Sequence, residues 1–289
     1  MIDMIWDCFL DALIDSLKIL PFLLLTYVVM EYLEHHMKET SKDAIRKSGR
    51  LGPLFGAACG IIPQCGFSAA ASNLYAGRVI TIGTLIAVYL STSDEMLIIM
   101  LASPKKASMA YIGFIIIIIK VIIGIVAGFL TDFILKLRKV KQTEQIRDFC
   151  EIENCHCEHG IFRSAVHHTV KILLFILLVT LILNTAIHFL GEETLSKLLL
   201  KDSFFAPFLS ALVGLIPNCA SSVVITEMYI NGAVSLGSCI AGLLAGSGMG
   251  LLILFKVNRP FKNNIIITLI VYGIGVFCGV LIDLAGFAL

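Results

Sequence analysis

Residues 52–77 read "GPLFGAACGIIPQCGFSAAASNLYAG" and residues 206–232 read "APFLSALVGLIPNCASSVVITEMYING". Each places a proline, an amide and a thiol (Pro63, Gln64, Cys65; Pro217, Asn218, Cys219) inside an otherwise apolar stretch. The two stretches align without a gap: Gly60 with Gly214, Pro63 with Pro217, Cys65 with Cys219, Ser68 with Ser222, Tyr75 with Tyr229 and Gly83 with Gly237, every pair 154 residues apart. Matches at one fixed separation mark an internal duplication.

Around these stretches the chain is that of an integral membrane protein. Of 289 residues, 58% are hydrophobic and 15% charged, against about 25% charged in soluble domains. A net charge of +1 implies no bulk attraction to nucleic acid. The nine cysteines lie mostly in apolar runs or in one polar loop, unlike a secreted disulfide scaffold. The N-terminal segment has no basic region or small-residue cleavage site and reads as the start of the first helix. Runs near the roughly 20 residues needed to span fall at about 9–33, 79–101, 108–136, 168–190, 233–256 and 264–288.

If both proline stretches also spanned, the basic loops 34–50 and 136–165 would face opposite sides, against the positive-inside rule. A re-entrant hairpin with its irregular tip buried in protein removes the conflict; a proline-kinked spanning helix is the alternative. Loops 34–50, 136–165 and 256–263 are then cytoplasmic, with Lys105 and Lys106 as exceptions on the outer side. The expected fold is all-α integral membrane: an inverted repeat of helix, hairpin, helix, helix, with six spanning helices and two re-entrant or broken hairpins, ten helical segments in all. The divisions are 1–136, a cytoplasmic Cys/His-rich loop 137–165, and 166–289. Inversion follows because three crossings per half is an odd number, and inverted repeats around discontinuous helices characterise secondary transporters.

Proline lacks an N–H and clashes with the carbonyl four residues earlier, so Pro63 and Pro217 open the helix. The groups exposed there, Gln64, Asn218, Ser68, Ser221 and Ser222 with the soft sulfurs of Cys59, Cys65 and Cys219, make a candidate site for thiophilic ions. Cysteine in a membrane helix is otherwise a small packing residue, the reading given to Cys8, Cys239 and Cys278. Asp94 and Glu95 lie in an apolar run, where ionisable groups are costly, and suit a cation ligand or a proton carrier; capping of a broken helix is the competing role. Glu227 aligns with Asn73 and is a further candidate for the cavity. In the loop, Cys150, Cys155, His156, Cys157 and His159 are ligand types for zinc or softer metals, at a spacing that fits a labile collecting loop better than a rigid finger. His35, His36, His167 and His168 read as interfacial anchors, and His188 carries no signal.

Through "CGIIPQCGFS", "GLIPNCASS" and "STSDEM", and over nearly its whole length, the chain resembles the ten-helix heavy-metal exporters of bacteria, a family often labelled arsenic efflux proteins and distantly like the arsenical permeases. The resemblance implies a cytoplasmic-membrane exporter with Cys65 and Cys219 as the thiophilic ligands. Some relatives are labelled manganese transporters. The arsenical permeases have a denser cysteine motif at the first break than the single Cys65 between Gln64 and Gly66.

The leading functional expectation is thus secondary export of a heavy metal or metalloid, without enzymatic activity. A hard-cation transporter using Asp94, Glu95 and Asn218 is the alternative, and a membrane thiol redox protein using Cys59 and Cys65 comes from another class. No GxxxxGK[ST] motif is present, so a gradient or another subunit must drive transport. No tightly bound cofactor is expected; lipid and the transported ion are the expected partners, with a homo-oligomer left open.

Overall fold

The structure is a computed structural model that describes residues 2–36, 51–62, 65–93, 96–103, 106–138, 161–190 and 205–286. All regular structure among them is helical. The first unit comprises α1 (Ile2–His36), α2 (Gly52–Gly60), α3 (Gly66–Ala76), α4 (Ile82–Ser91), α5 (Met96–Ala102) and α6 (Lys106–Leu137). The second comprises α7 (Ile161–Leu190), α8 (Ala206–Gly214), α9 (Cys219–Ile230), α10 (Leu236–Ala245), α11 (Met249–Val257) and α12 (Phe261–Leu284).

Six segments are long and apolar enough to cross a membrane: Phe9–Val29, Ile82–Ala102, Ser108–Leu137, Ala165–Leu183, Leu236–Val257 and Phe261–Leu284. They coincide with the apolar runs of the sequence. Two of them are each made of two helices, α4 with α5 and α10 with α11, an interruption that hydropathy does not reveal. The physical reason is local. Thr92 and Ser93 turn hydroxyls onto nearby carbonyls, Thr92 onto Val88 at 2.7 Å and Ser93 onto Ile61 at 2.9 Å, which offers the backbone an alternative to the helix. In the second unit Gly248 adopts φ 53, a left-handed conformation that glycine enters at little cost.

α2 and α3 form a hairpin. α2 runs alongside α4 in the same direction, with Gly52 against Thr84, Gly56 against Thr84 and Val88, and Gly60 against Ser91. In one straight helical line residue 76 would lie roughly 36 Å from residue 52. Yet residue 82, beside residue 52, is reached through a link of only about 21 Å at full extension. The chain must therefore double back between Gly60 and Gly66. α8 and α9 repeat the arrangement: Ser210 and Gly214 lie against Gly242, and residues 231–235 lead into α10. Pro53 and Pro207 begin α2 and α8, where a missing N–H costs nothing.

The same small-residue seam joins α4 to α6 and α10 to α12. A Cβ on Gly83 would strike the Gly128 carbonyl and Asp132, and one on Gly237 the Gly279 carbonyl and Asp283. Asp132 accepts from the Gly83 N–H at 2.9 Å and the Thr81 hydroxyl at 2.6 Å; Asp283 accepts from Gly237 at 2.9 Å and Ser235 at 2.8 Å. Thr81 and Ser235 in turn cap α4 and α10. The seam carries "GIVAGFLTD" (124–132) in one unit and "GVFCGVLID" (275–283) in the other, so the duplication reaches the last helix after a shift of three residues.

Every residue of α10, and all but the first of α4, is buried, and these two helices meet in the interior. Exposed apolar rows run along α6 (Phe114, Ile118, Ile122, Val126) and α7 (Val170, Leu174, Leu178, Ile182) at the four-residue spacing of one helix face.

Candidate functional site

The two hairpin return arms start at one point. Cys65 precedes the first residue of α3 and Cys219 opens α9, and their sulfurs lie 3.8 Å apart, both residues buried. Both α3 and α9 therefore direct the positive ends of their dipoles and their first unpaired N–H groups toward the thiol pair. The surroundings are repeated on both sides. Ser68 donates to the Cys65 carbonyl and Ser222 to the Cys219 carbonyl, each at 2.8 Å. One turn on, Ser72 donates to the Ser68 carbonyl at 2.7 Å and Thr226 to the Ser222 carbonyl at 2.6 Å. Ser68, Ser222 and Thr226 thus direct their protons inside their helices, whereas the Ser72 hydroxyl also meets the Gly250 carbonyl at 2.8 Å and the Tyr89 hydroxyl at 2.7 Å.

Asn218 caps α9 through its side-chain oxygen, which accepts from the Ala220 N–H at 3.4 Å. Ser221 closes the same turn by donating to the Asn218 carbonyl at 2.8 Å. Pro217 sits just before this cap, partly buried, in the gap between α8 and α9. Cys59 is exposed on α2 and Glu227 is exposed on α9, so neither joins the buried pair. Pro63, Gln64, Asp94 and Glu95 lie outside the described residues, as do Cys150, Cys155, His156, Cys157 and His159. The neighbours of the acidic pair, Thr92, Ser93 and Met96, are fully buried. Among the described residues no three of His, Cys, Asp and Glu cluster as a metal cage, so the described thiolate-type ligands at this point are the two sulfurs.

Four polar groups at the interior, His168, Ser247, Asn73 and Lys120, take places that the sequence reading did not give them. His168 is not an interfacial anchor: it is wholly buried and stacks on Tyr27 at 5.5 Å between ring centroids, with Tyr27 donating to Asn73 at 3.3 Å. Burial behind α1 and α3 outweighs the polarity that suggested a membrane surface. Ser247 keeps a buried hydroxyl without a partner in the interruption of the second unit, and the Asn73 amide nitrogen is likewise buried and unpartnered. Lys120 lies 1% exposed in the middle of α6 and donates to the Leu243 carbonyl of α10 at 2.5 Å. The signal for it was present, a single lysine in "FIIIIIKVIIGIV" (114–126), by the same rule that drew attention to Asp94 and Glu95.

Matched helical units, interrupted membrane helices and a buried thiol pair at facing helix ends define a multi-pass membrane protein with a soft polar centre. The chain belongs to the family described as "Putative, 10TM heavy-metal exporter", whose model matches residues 3–192 and 170–287. No curated protein and no solved structure matches it.

Proposed function

We propose that the protein is a secondary exporter of a thiophilic metal or metalloid ion, acting in the cytoplasmic membrane without resident cofactor or catalysis, and that Cys65 and Cys219 hold the cargo between them. The observation that carries this reading is the 3.8 Å separation of the two sulfurs. A tetrahedral centre with metal–sulfur bonds of about 2.3 Å holds two of its sulfurs about 3.8 Å apart, so one ion fits the pair without rearrangement. Two protein ligands are fewer than a structural site uses, which suits a cargo that must leave. The facing helix N-termini favour negative charge in the occupied site, as on thiolates or an oxyanion. Asp94 and Glu95, between two buried segments of the interrupted first-unit span, are the proposed cation or proton carriers of the cycle. The Cys/His residues at 150–159 are the proposed cytoplasmic collector.

The two units are proposed to be inverted about an axis through the thiol pair. Three crossings per unit support this. So does α3 lying against α11 and α9 against α5, each return arm packed on the interrupted span of the other unit.

The test is equilibrium binding of zinc and of arsenite to the purified protein, with flux in vesicles. Cys65→Ser with Cys219→Ser should lower affinity well beyond the roughly 10–100-fold that loss of an outer-shell partner costs, and abolish flux. Retained binding and flux would exclude the thiol site and favour a hard divalent cation, such as manganese, held by Asp94, Glu95 and Asn218. Flux lost with binding kept would point to thiol redox chemistry.

A further inference from the structure

We infer that the Lys120 ammonium is a tethered cation occupying the monovalent-cation position at the carbonyl end of the interrupted helix α10. Interrupted membrane helices present free carbonyls to the interior, and such carbonyls are ligands for small cations. In the second unit the last intrahelical bond runs from the Gly246 N–H to the Gly242 carbonyl at 2.9 Å. The Leu243 carbonyl is the next in line and has no helical donor. Lys120 supplies the donor from the other unit, at 2.5 Å. Its charge faces the negative end of the α10 dipole, the arrangement that stabilises a cation there. The buried, unpartnered Ser247 hydroxyl is a further oxygen at the same interruption.

The corresponding end in the first unit is closed differently. Thr92 N–H bonds to Val88, the counterpart of Gly242, and the hydroxyls of Ser91 and Thr92 fall on the same carbonyl at 3.1 and 2.7 Å. The second unit has Ala245 and Gly246 in place of Ser91 and Thr92, so it lacks both hydroxyls; the Gly242 carbonyl keeps only the Gly246 N–H, and the ammonium falls one residue further on, at the Leu243 carbonyl. Of the helices packed on α6, α10 carries the fully buried Cys239. Among the described residues α4 carries Tyr89, hydrogen-bonded to Ser72 at 2.7 Å, α5 has no titratable side chain and α2 only the exposed Cys59; Asp94 and Glu95, which precede α5 in the chain, lie outside the described residues. Lys120 is a positioning residue in this account: it fixes the interruption of the second unit against the first, whatever ion passes the thiol pair.

The test is thermal unfolding of the purified full-length chain in detergent at constant ionic strength, comparing choline, sodium and n-propylammonium chlorides, a readout independent of metal flux. Wild type should melt alike in all three. Lys120→Ala should melt lower in choline and recover, saturably, in sodium or n-propylammonium, because either cation refills the vacated position. A wild-type midpoint for Lys120→Ala, or a lowered one that no small cation raises above its value in choline, overturns the inference. If Lys120→Ala is not recovered folded, Lys120→Met, which keeps the stem and removes the charge, is compared with Lys120→Arg. The inference then requires a lower midpoint for Met that Arg raises, and equal midpoints overturn it.

Discussion

At the scale of single residues, the decisive fact is that two thiols far apart in sequence end side by side. A disulfide needs sulfurs about 2.05 Å apart, so at 3.8 Å the pair is unbonded yet within reach of oxidation after a small shift. With the other cysteines replaced and a protease site placed between residues 138 and 161, mild oxidation should keep the two halves together on a non-reducing gel. A chain retaining only Cys59 and Cys219 should fall apart under the same treatment, since Cys59 is exposed and away from the pair. A second residue-scale contrast lies at the hairpin exits. Arg78 and Gly232 are equivalent and adopt φ 63 and 69, each donating to the tyrosine three residues earlier at 2.9 Å. Gly232→Ala should lower stability by about 1 kcal/mol, the strain of a side chain in left-handed backbone. Arg78→Gly relieves that strain but gives up the contact with the Tyr75 ring at 5.3 Å, worth about 0.5–1 kcal/mol, so it should change the midpoint little. Equal losses at both positions in a thermal melt would contradict this.

Among elements, the glycine seams decide how tightly the central helices approach. Gly83→Ala and Gly237→Ala each drive a Cβ into a carbonyl of the neighbouring helix, so each should cost about 1–3 kcal/mol, as overpacking does. Gly273→Ala, also in a helix but with open space around it, should be neutral or raise stability by up to about 1 kcal/mol. Thermal melts that rank the three alike would show that the seam carries no special constraint. The sequence made much of this level legible. The six spans appear as apolar runs, and the hairpins appear because proline, small residues and loop charge conflict with a simple crossing. The interruption of the first span was weighed only as a competing role for Asp94 and Glu95, and the one at 246–248 did not appear, because a hydropathy window averages a few hydroxyls or glycines with the leucines and isoleucines around them. The seam of the last helix was hidden for another reason. A three-residue shift takes Asp283 out of the 154-residue register, and only its bond to the Gly237 N–H pairs it with Asp132.

For the whole molecule, the question is how two similar units share one centre. The candidate site was legible as far as chemistry at two matched positions can be: Cys65 and Cys219 were marked by their prolines and their register. Lys120 was signalled by its lone charge in an apolar run, but its partner on α10 and the stacking of His168 on α1 were not legible, since each contact is with a helix distant in sequence. Each unit has three segments able to cross, α1, α4 with α5, and α6 in the first, α7, α10 with α11, and α12 in the second. An odd number carries the chain to the far side, so the second unit starts opposite the first. On the proposed topology, with loops 34–50 and 136–165 cytoplasmic by their lysines and arginines, the first hairpin is expected to open to the cytoplasm and the second to the outside. Arg78 and Asn231, at the two hairpin exits, then report opposite faces. In a chain without its native cysteines, Arg78→Cys should react with a membrane-impermeant maleimide only in inside-out vesicles, and Asn231→Cys only in intact cells. Labelling of both from one face would mean that the units run in the same sense. Access to the thiol pair from opposite faces in turn, on which the proposed export rests, would then lose its structural basis.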